Sequence, residues 1–266
     1  MYASCYEATI SESSVTKDMA QPYQFHHTPI LNRKMKAIEN YGRMYVTDYL
    51  DKDRMRRSSI MSNPTDALAF FYGKVFMRGR KDTISVVFMN RAIEVLQEYK
   101  SIHDIDLASL EEELHLHGVN NHYDQRMVIE SIRFIRDNLK DYDYNIFNWA
   151  IDLIRTNCCP EAFSALTGIF AIGDKLATFY LRDVTLVSDL EPTIRSESYI
   201  YFQPIDTWVK QVSDAIGITE PTDREILVVK EKIVACCLEV GVSPLLFNAG
   251  AWMAGANAFR LIIELL

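Results

Sequence analysis

Leu166-Thr167-Gly168-Ile169-Phe170-Ala171-Ile172-Gly173-Asp174-Lys175-Leu176-Ala177 reads as a helix that stops, a tight apolar hairpin, and a second helix that starts. A short helix over 160–167 ends at Gly168, a residue type that closes helices readily. Gly173 then opens a second helix beginning near Asp174. Unpaired N–H groups at a helix start point outward, so this turn can grip a phosphate through backbone donors at Ala171, Gly173 and Asp174. Lys175 sits in the first turn of that second helix. There the positive end of the helix dipole opposes a further positive charge, a setting that suits a lysine acting as nucleophile.

Outward from this segment the apolar residues recur at helical spacing. Val87, Ala92, Val95 and Tyr99 mark a helix over 84–99, and Val128, Ile132, Ile135 and Leu139 mark another over 127–139. The apolar run 67–77 follows Asn63-Pro64-Thr65-Asp66 and predicts a buried helix capped by Thr65 or Asp66. Further helices are predicted over 144–154, 222–240 and 243–265, with Gly241 as a C-terminal stop, Ser243 as N-cap and Pro244 in the first turn. The stretch 188–198 is polar and reads as a connecting excursion, and residues 1 to 30 read as irregular. The sum is about ten helices and little strand, an all-α fold in one unit spanning 1–266, with the hairpin motif at 160–186 and a further helix at 204–216.

Composition agrees. The 266 residues are 48% hydrophobic and 24% charged, which excludes a largely disordered or collagen-like chain. Only 10 Gly and 8 Pro are few for an all-β protein with many turns. Cys5, Cys158, Cys159, Cys236 and Cys237 include no C-x-x-C spacing, so no zinc ribbon or four-cysteine iron–sulfur cluster is expected, and an odd total suits a reducing, cytoplasmic setting. The final segment is mainly apolar, yet it carries Asn248, Asn257, Arg260 and Glu264 and reads as a closely packed buried helix, not a membrane span. His115, His117 and His122 fall in a polar helix end and read as a surface turn, so no metal is expected.

The formal net charge of −8 argues against a generic cationic nucleic-acid coat, although a phosphate track is a local property. From 31 to 60 there are Arg33, Lys34, Lys36, Arg43, Lys52, Arg54, Arg56 and Arg57 against Glu39, Asp48, Asp51 and Asp53. Lys74, Arg78, Arg80 and Lys81 extend this basic region. Taken alone, these residues read as a solvated charged surface.

A second signal lies downstream: Gln203-Pro204-Ile205-Asp206-Thr207-Trp208-Val209. Asp206 is placed to N-cap a helix running to about Ala215, its carboxylate held by backbone donors. In this order the two signals resemble the helix-hairpin-helix (HhH-GPD) superfamily of DNA glycosylases. Its usual hairpin, L-P-G-V-G-x-K, is met here by Ile169-Phe170-Ala171-Ile172-Gly173-Asp174-Lys175, and its downstream P-V-D-T/V-H by Pro204-Ile205-Asp206-Thr207-Trp208. The interval between lysine and aspartate most resembles the archaeal 8-oxoguanine glycosylase/lyase branch. The matching motifs cover roughly 160–256; residues 1–150 match only in being helical. Ala171 stands where the family has its first hairpin glycine, and Trp208 where a histidine is common.

The resemblance implies two helical lobes with a cleft between them, and a bifunctional DNA glycosylase/abasic-site lyase active as a monomer on duplex DNA, cytoplasmic and nucleoid-associated. Lys175 attacks the sugar C1′ and Asp206 stabilises the cationic sugar and assists proton transfer. The target nucleotide is flipped into a pocket, its base stacked between Phe179 and Trp252 with Asn248 bonding its edge. Gln24, and also Gln21, are candidates for the base's other edge. The archaeal branch implies an acidic reader where this chain has Asn248, so a modified cytosine or a phage-modified base suits the site as well as 8-oxoguanine. No cofactor is implied, beyond a monovalent cation that such hairpins can hold on carbonyls. Three readings stay open: the glycosylase/lyase, a non-catalytic hairpin that binds DNA, and a glycosylase acting on RNA or nucleosides.

Overall fold

The computed structural model describes residues 28–265, and among them every regular element is helical. Gln21, Gln24 and Cys5, together with nearly all of the N-terminal stretch read as irregular, lie outside the described residues. In order the helices are α1 (Pro29–Tyr45), α2 (Asp51–Met55), α3 (Arg57–Ser62), α4 (Pro64–Val75), α5 (Asp82–Gln97), α6 (Leu110–Leu116), α7 (His122–Asn138), α8 (Ile146–Arg155), α9 (Cys159–Thr167), α10 (Asp174–Ser188), α11 (Thr207–Ala215), α12 (Ile226–Val240) and α13 (Pro244–Leu265). The all-α expectation holds. The helices are more numerous than the periodicity suggested because 29–62, read only for its charge, folds into α1, a five-residue π-helical segment (Val46–Leu50), α2 and α3.

Local chemistry explains the boundaries. Thr28 caps α1 by accepting from Leu31 N–H at 3.1 Å, and Pro29 begins the helix with its ring preset to helical φ. α4 is capped by Asn63, whose Oδ1 accepts from Thr65 N–H at 2.9 Å, rather than by Thr65 or Asp66; Pro64 takes the first helical position, so the cap falls one residue before it. α12 ends on Gly241 at φ +72°, the left-handed stop expected there. The polar excursion after α10 folds into two 3-10 turns, Glu191–Thr193 and Ser196–Phe202.

Two hydrophobic clusters form around α1 and α13. The larger gathers residues of α3 to α10 with Leu245, Ala249 and Met253 of α13; the smaller gathers Leu31, Met35 and Ile38 of α1, Val209 and Val212 of α11, Val229 and Ile233 of α12, and Phe247 and Ala251 of α13. α13 therefore feeds one cluster with an i, i+4, i+8 stripe and the other with the residues between, as a helix apolar on all sides does. Its crossing with α1 is backbone to backbone: a Cβ on Gly250 would fall 1.9 Å from the Ile38 carbonyl oxygen, and one on Gly42 1.9 Å from that of Leu246. Glycine at these two positions is what allows that approach. Among the described residues no single helix is long and apolar enough to cross a membrane.

α10 is the helix around which the candidate site is built. From Leu176 to Ser188 all of its residues but Phe179 are buried, including Arg182 and Asp183. A charged pair survives there only with partners inside the protein.

Candidate active site

α9 stops at Gly168, and the chain turns back through a tight loop in which Ile172 N–H bonds Ile169 C=O at 3.1 Å. Ala171, the third residue of that turn, adopts φ +63°. This is the left-handed region, where a side chain costs about 1–2 kcal/mol. The turn thus keeps the conformation a glycine would favour and carries the strain of the alanine. Ile169 and Ile172 anchor it in the core. Phe170 at its tip stacks on Tyr123 (5.6 Å between centroids, 21° between planes) and lies 4.0 Å below the Arg126 guanidinium, both from α7.

Gly173 caps α10 in extended conformation (φ −93°, ψ −176°) and is exposed. A Cβ placed there would meet nothing within 4 Å, so the approach from solvent to the start of α10 is open. Asp174 follows, but its carboxylate is engaged: Lys230 of α12, 4% exposed, donates to Oδ2 at 2.6 Å. Burial pushes the Lys230 ammonium below its ordinary value while Asp174 holds it up. Any anion at this turn meets the backbone of Asp174 and not a free side chain. Lys175 is half-buried in the first turn and makes no ion pair with another described residue.

Asp206 caps α11 as its sequence context predicts, Oδ1 accepting from Val209 N–H at 2.9 Å. Trp208, two residues on, lies against α13, where a Cβ on Gly255 would fall 2.6 Å from its own.

Phe179 and Trp252, the expected stacking pair, are both half-buried and flank one node of charge and ring. The Arg182 guanidinium stands 4.9 Å from the Phe179 ring and 4.9 Å from that of Tyr45. Tyr45 in turn meets Trp252 edge-on at 5.8 Å. Tyr49 stacks on Tyr45 at 5.2 Å and also meets Trp252 edge-on, at 5.6 Å. These tyrosines lie on either side of the start of the π-helical segment, a distortion that often marks functional positions. Lys74 of α4 completes the surroundings, its Nζ 5.8 Å from the Phe179 centroid and 3.1 Å from Asp183.

Asn248 departs from expectation. It has no exposed surface, and its amide is spent at both ends: Oδ1 accepts from Arg182 Nη1 at 2.8 Å and Nδ2 donates to the Pro204 carbonyl at 3.1 Å. No base edge reaches it in this arrangement. Arg182 is fixed further by two bonds to Asp183 Oδ1 (3.0 and 2.9 Å) and one to the Tyr45 hydroxyl (3.0 Å), which itself donates to Asp183 Oδ2 at 2.8 Å. Burial, with Asp183 alongside, holds the Tyr45 phenol well above its ordinary value, so it stays the neutral donor this network needs.

The sequence reading missed Tyr45, Lys74, Arg182, Asp183 and Lys230. One signal was available: Arg182-Asp183 sits between Tyr180-Leu181 and Val184, and adjacent opposite charges inside an apolar helix require internal partners. Seven of the twelve basic residues named in the region 31–81 pair with described carboxylates. Arg54 and Arg57 pair with Asp189, Arg56 with Asp66, Arg43 with Glu39, Lys74 with Asp53 and Asp183, and Arg78 and Arg80 with Asp124. Among the described residues no group of three or more His, Cys, Asp or Glu is placed to hold a metal; His117 and His122 instead approach Glu98 and Glu111. A cavity of about 470 Å³, lined by Arg43, Arg54, Thr185, Asp189 and Glu191 among others, lies at the far end of α10 from Lys175, roughly 20 Å along the helix axis. Its contents of charge belong to that end and not to the lysine. Compared with protein-family models, with curated proteins and with solved structures, the chain gives no match.

Proposed function

We propose that this protein is a helix-hairpin-helix DNA glycosylase with abasic-site lyase activity, removing an oxidised or otherwise modified base from duplex DNA as a monomer, in the cytoplasm beside the nucleoid. The observation that carries the reading is the joining of two sequence signals by one buried residue. Asn248 ties α10, which carries Lys175 in its first turn, to the carbonyl of Pro204, two residues ahead of Asp206. The same α13 presents Trp252 one turn on, and α10 presents Phe179 one turn after Lys175, with the Tyr45–Arg182 node between the two rings. The open start of α10 and the left-handed turn before it support a phosphate-gripping hairpin.

In this mechanism the Lys175 amine forms a bond to C1′ as the C1′–N glycosidic bond breaks, and the departing base takes up a proton. Asp206 faces the positive charge that develops on the sugar and relays the proton that the amine sheds. The N,O-acetal so formed opens to an iminium as the C1′–O4′ bond breaks and O4′ takes up a proton; the acidified C2′ proton is then lost as the 3′ phosphate departs from C3′, cleaving the strand. The Tyr45–Arg182 node fills the space between Phe179 and Trp252, so the extruded base packs against the exposed parts of these two half-buried rings rather than between them.

Incubation with duplexes carrying a panel of oxidised and phage-type modified bases tests this reading. Strand scission at one or more of them, absent in Lys175→Gln, supports it. Duplex binding without scission on any substrate, abasic sites included, supports a non-catalytic hairpin instead.

A further inference from the structure

We infer that Asn248 is a positioning residue that sets Lys175 against Asp206, and that the base is recognised without it; this inference rests on the glycosylase reading above. The side chain bridges two segments far apart in sequence, accepting from Arg182 of α10 and donating to the carbonyl of Pro204. Beyond Pro204 the chain runs through Ile205 to Asp206, whose carboxylate is itself fixed by Val209 N–H. Behind Arg182 stand Asp183 and Tyr45, which hold the guanidinium from the side opposite Asn248, and Lys74 in turn holds Asp183. Four helices and one loop thus converge on a buried set of hydrogen bonds centred on the Arg182 guanidinium, with the Asn248 amide as its link to the Pro204 loop.

The requirement for an amide follows from the partners. One end faces a cation and must accept; the other faces a carbonyl oxygen and must donate. Asn or Gln does both without a titration and from two separate atoms, where a hydroxyl must do both from one oxygen, and Asn has the shorter reach. An aspartate would keep the bond to Arg182 but set two oxygens against each other at Pro204. A satisfied buried network of this kind rigidifies what it joins. Reaction rates are sensitive to it, because displacement of reacting groups by about 1 Å costs on the order of a hundredfold.

Asn248→Asp and Asn248→Ala in the full chain test the inference on two duplexes, one with an excisable base and one with an abasic site. Positioning predicts that kcat falls on both by a similar factor, about 10- to 100-fold, that KM for either duplex stays near the wild-type value, and that the ranking of bases in the panel is unchanged. Loss confined to the base-containing duplex, or a new ranking of bases, makes Asn248 a reader and overturns the inference while leaving the glycosylase reading intact. Asn248→Asp is nearly isosteric and keeps the Arg182 bond, so it serves should Asn248→Ala fail to fold. Hydrogen exchange supplies a readout independent of activity: the Val209 amide loses protection in Asn248→Asp while the interior of α12 does not. If the wild-type protein cleaves nothing, the glycosylase reading falls, and unchanged protection at Val209 separately overturns the positioning claim.

Discussion

Lys230 donates to Asp174 at 2.6 Å across the start of α10, so the carboxylate that opens this helix is neutralised from α12. The proposed function has this turn grip a phosphate, so removing the cation carries two costs, an unpaired anion beside that phosphate and a lost buried bond. Lys230→Met is expected to lower stability by about 2 kcal/mol and to weaken duplex binding, with Asp174→Asn in the same chain recovering much of the affinity. Chemical denaturation and a binding titration at fixed salt check both. Unchanged affinity in the single variant would mean that no phosphate comes near Asp174.

Ala171 holds φ +63° in the turn that precedes α10. Ala171→Gly relieves that strain but loosens the unfolded chain, so the net gain is expected to be about 0.5–1 kcal/mol. Thermal unfolding measures it. A loss of stability would show that the alanine methyl contributes packing that outweighs its backbone.

Glu191 bonds the Ser243 hydroxyl, and burial, with Glu39 nearby, raises its carboxyl above the ordinary glutamate value. The folded state then binds the proton more tightly than the unfolded state. This contribution is fully present below the unfolded value and is lost as pH rises through the folded one. Glu191→Gln keeps an acceptor for Ser243 and removes the charge, so the variant is expected to be more stable than wild type at neutral pH, with the advantage shrinking on acidification. Unfolding curves from pH 4 to pH 8 decide it; an advantage that grows towards acid would reverse the sign.

Asp206 caps α11, and the proposed function gives it a second role as the anion of the reaction; substitution separates the two. Asn caps helices about as well as Asp, so Asp206→Asn is expected to leave the unfolding midpoint within about 0.5 kcal/mol of wild type while turnover falls by about 10²–10⁴. Near-normal turnover would remove Asp206 from the chemistry.

Much of this was legible in the chain. The turn after Gly168, the start of α10 at Asp174 and the Asp206 cap are local events, set by residues within a few positions of each other, and each appears where its sequence indicates. Asn248 and Asp174 were legible as polar residues in special places but not as spent ones, because their partners Arg182, Pro204 and Lys230 lie 44 to 66 residues away. The helices of 29–62 were hidden for another reason: their charges drew the eye to a surface, while Met35, Ile38 and Gly42 pack α1 onto α13. Gln24 lies outside the described residues, and its role stays an expectation.

The measurement closest to the central claim is borohydride trapping on a duplex bearing an abasic site or an excisable base, followed by mass spectrometry of the adduct. Reduction of the iminium is expected to leave the sugar on Lys175 alone, with no adduct in Lys175→Gln and full trapping in Lys140→Met, a change at an exposed lysine outside the site. An adduct on Lys74, or none on any lysine, would contradict the account.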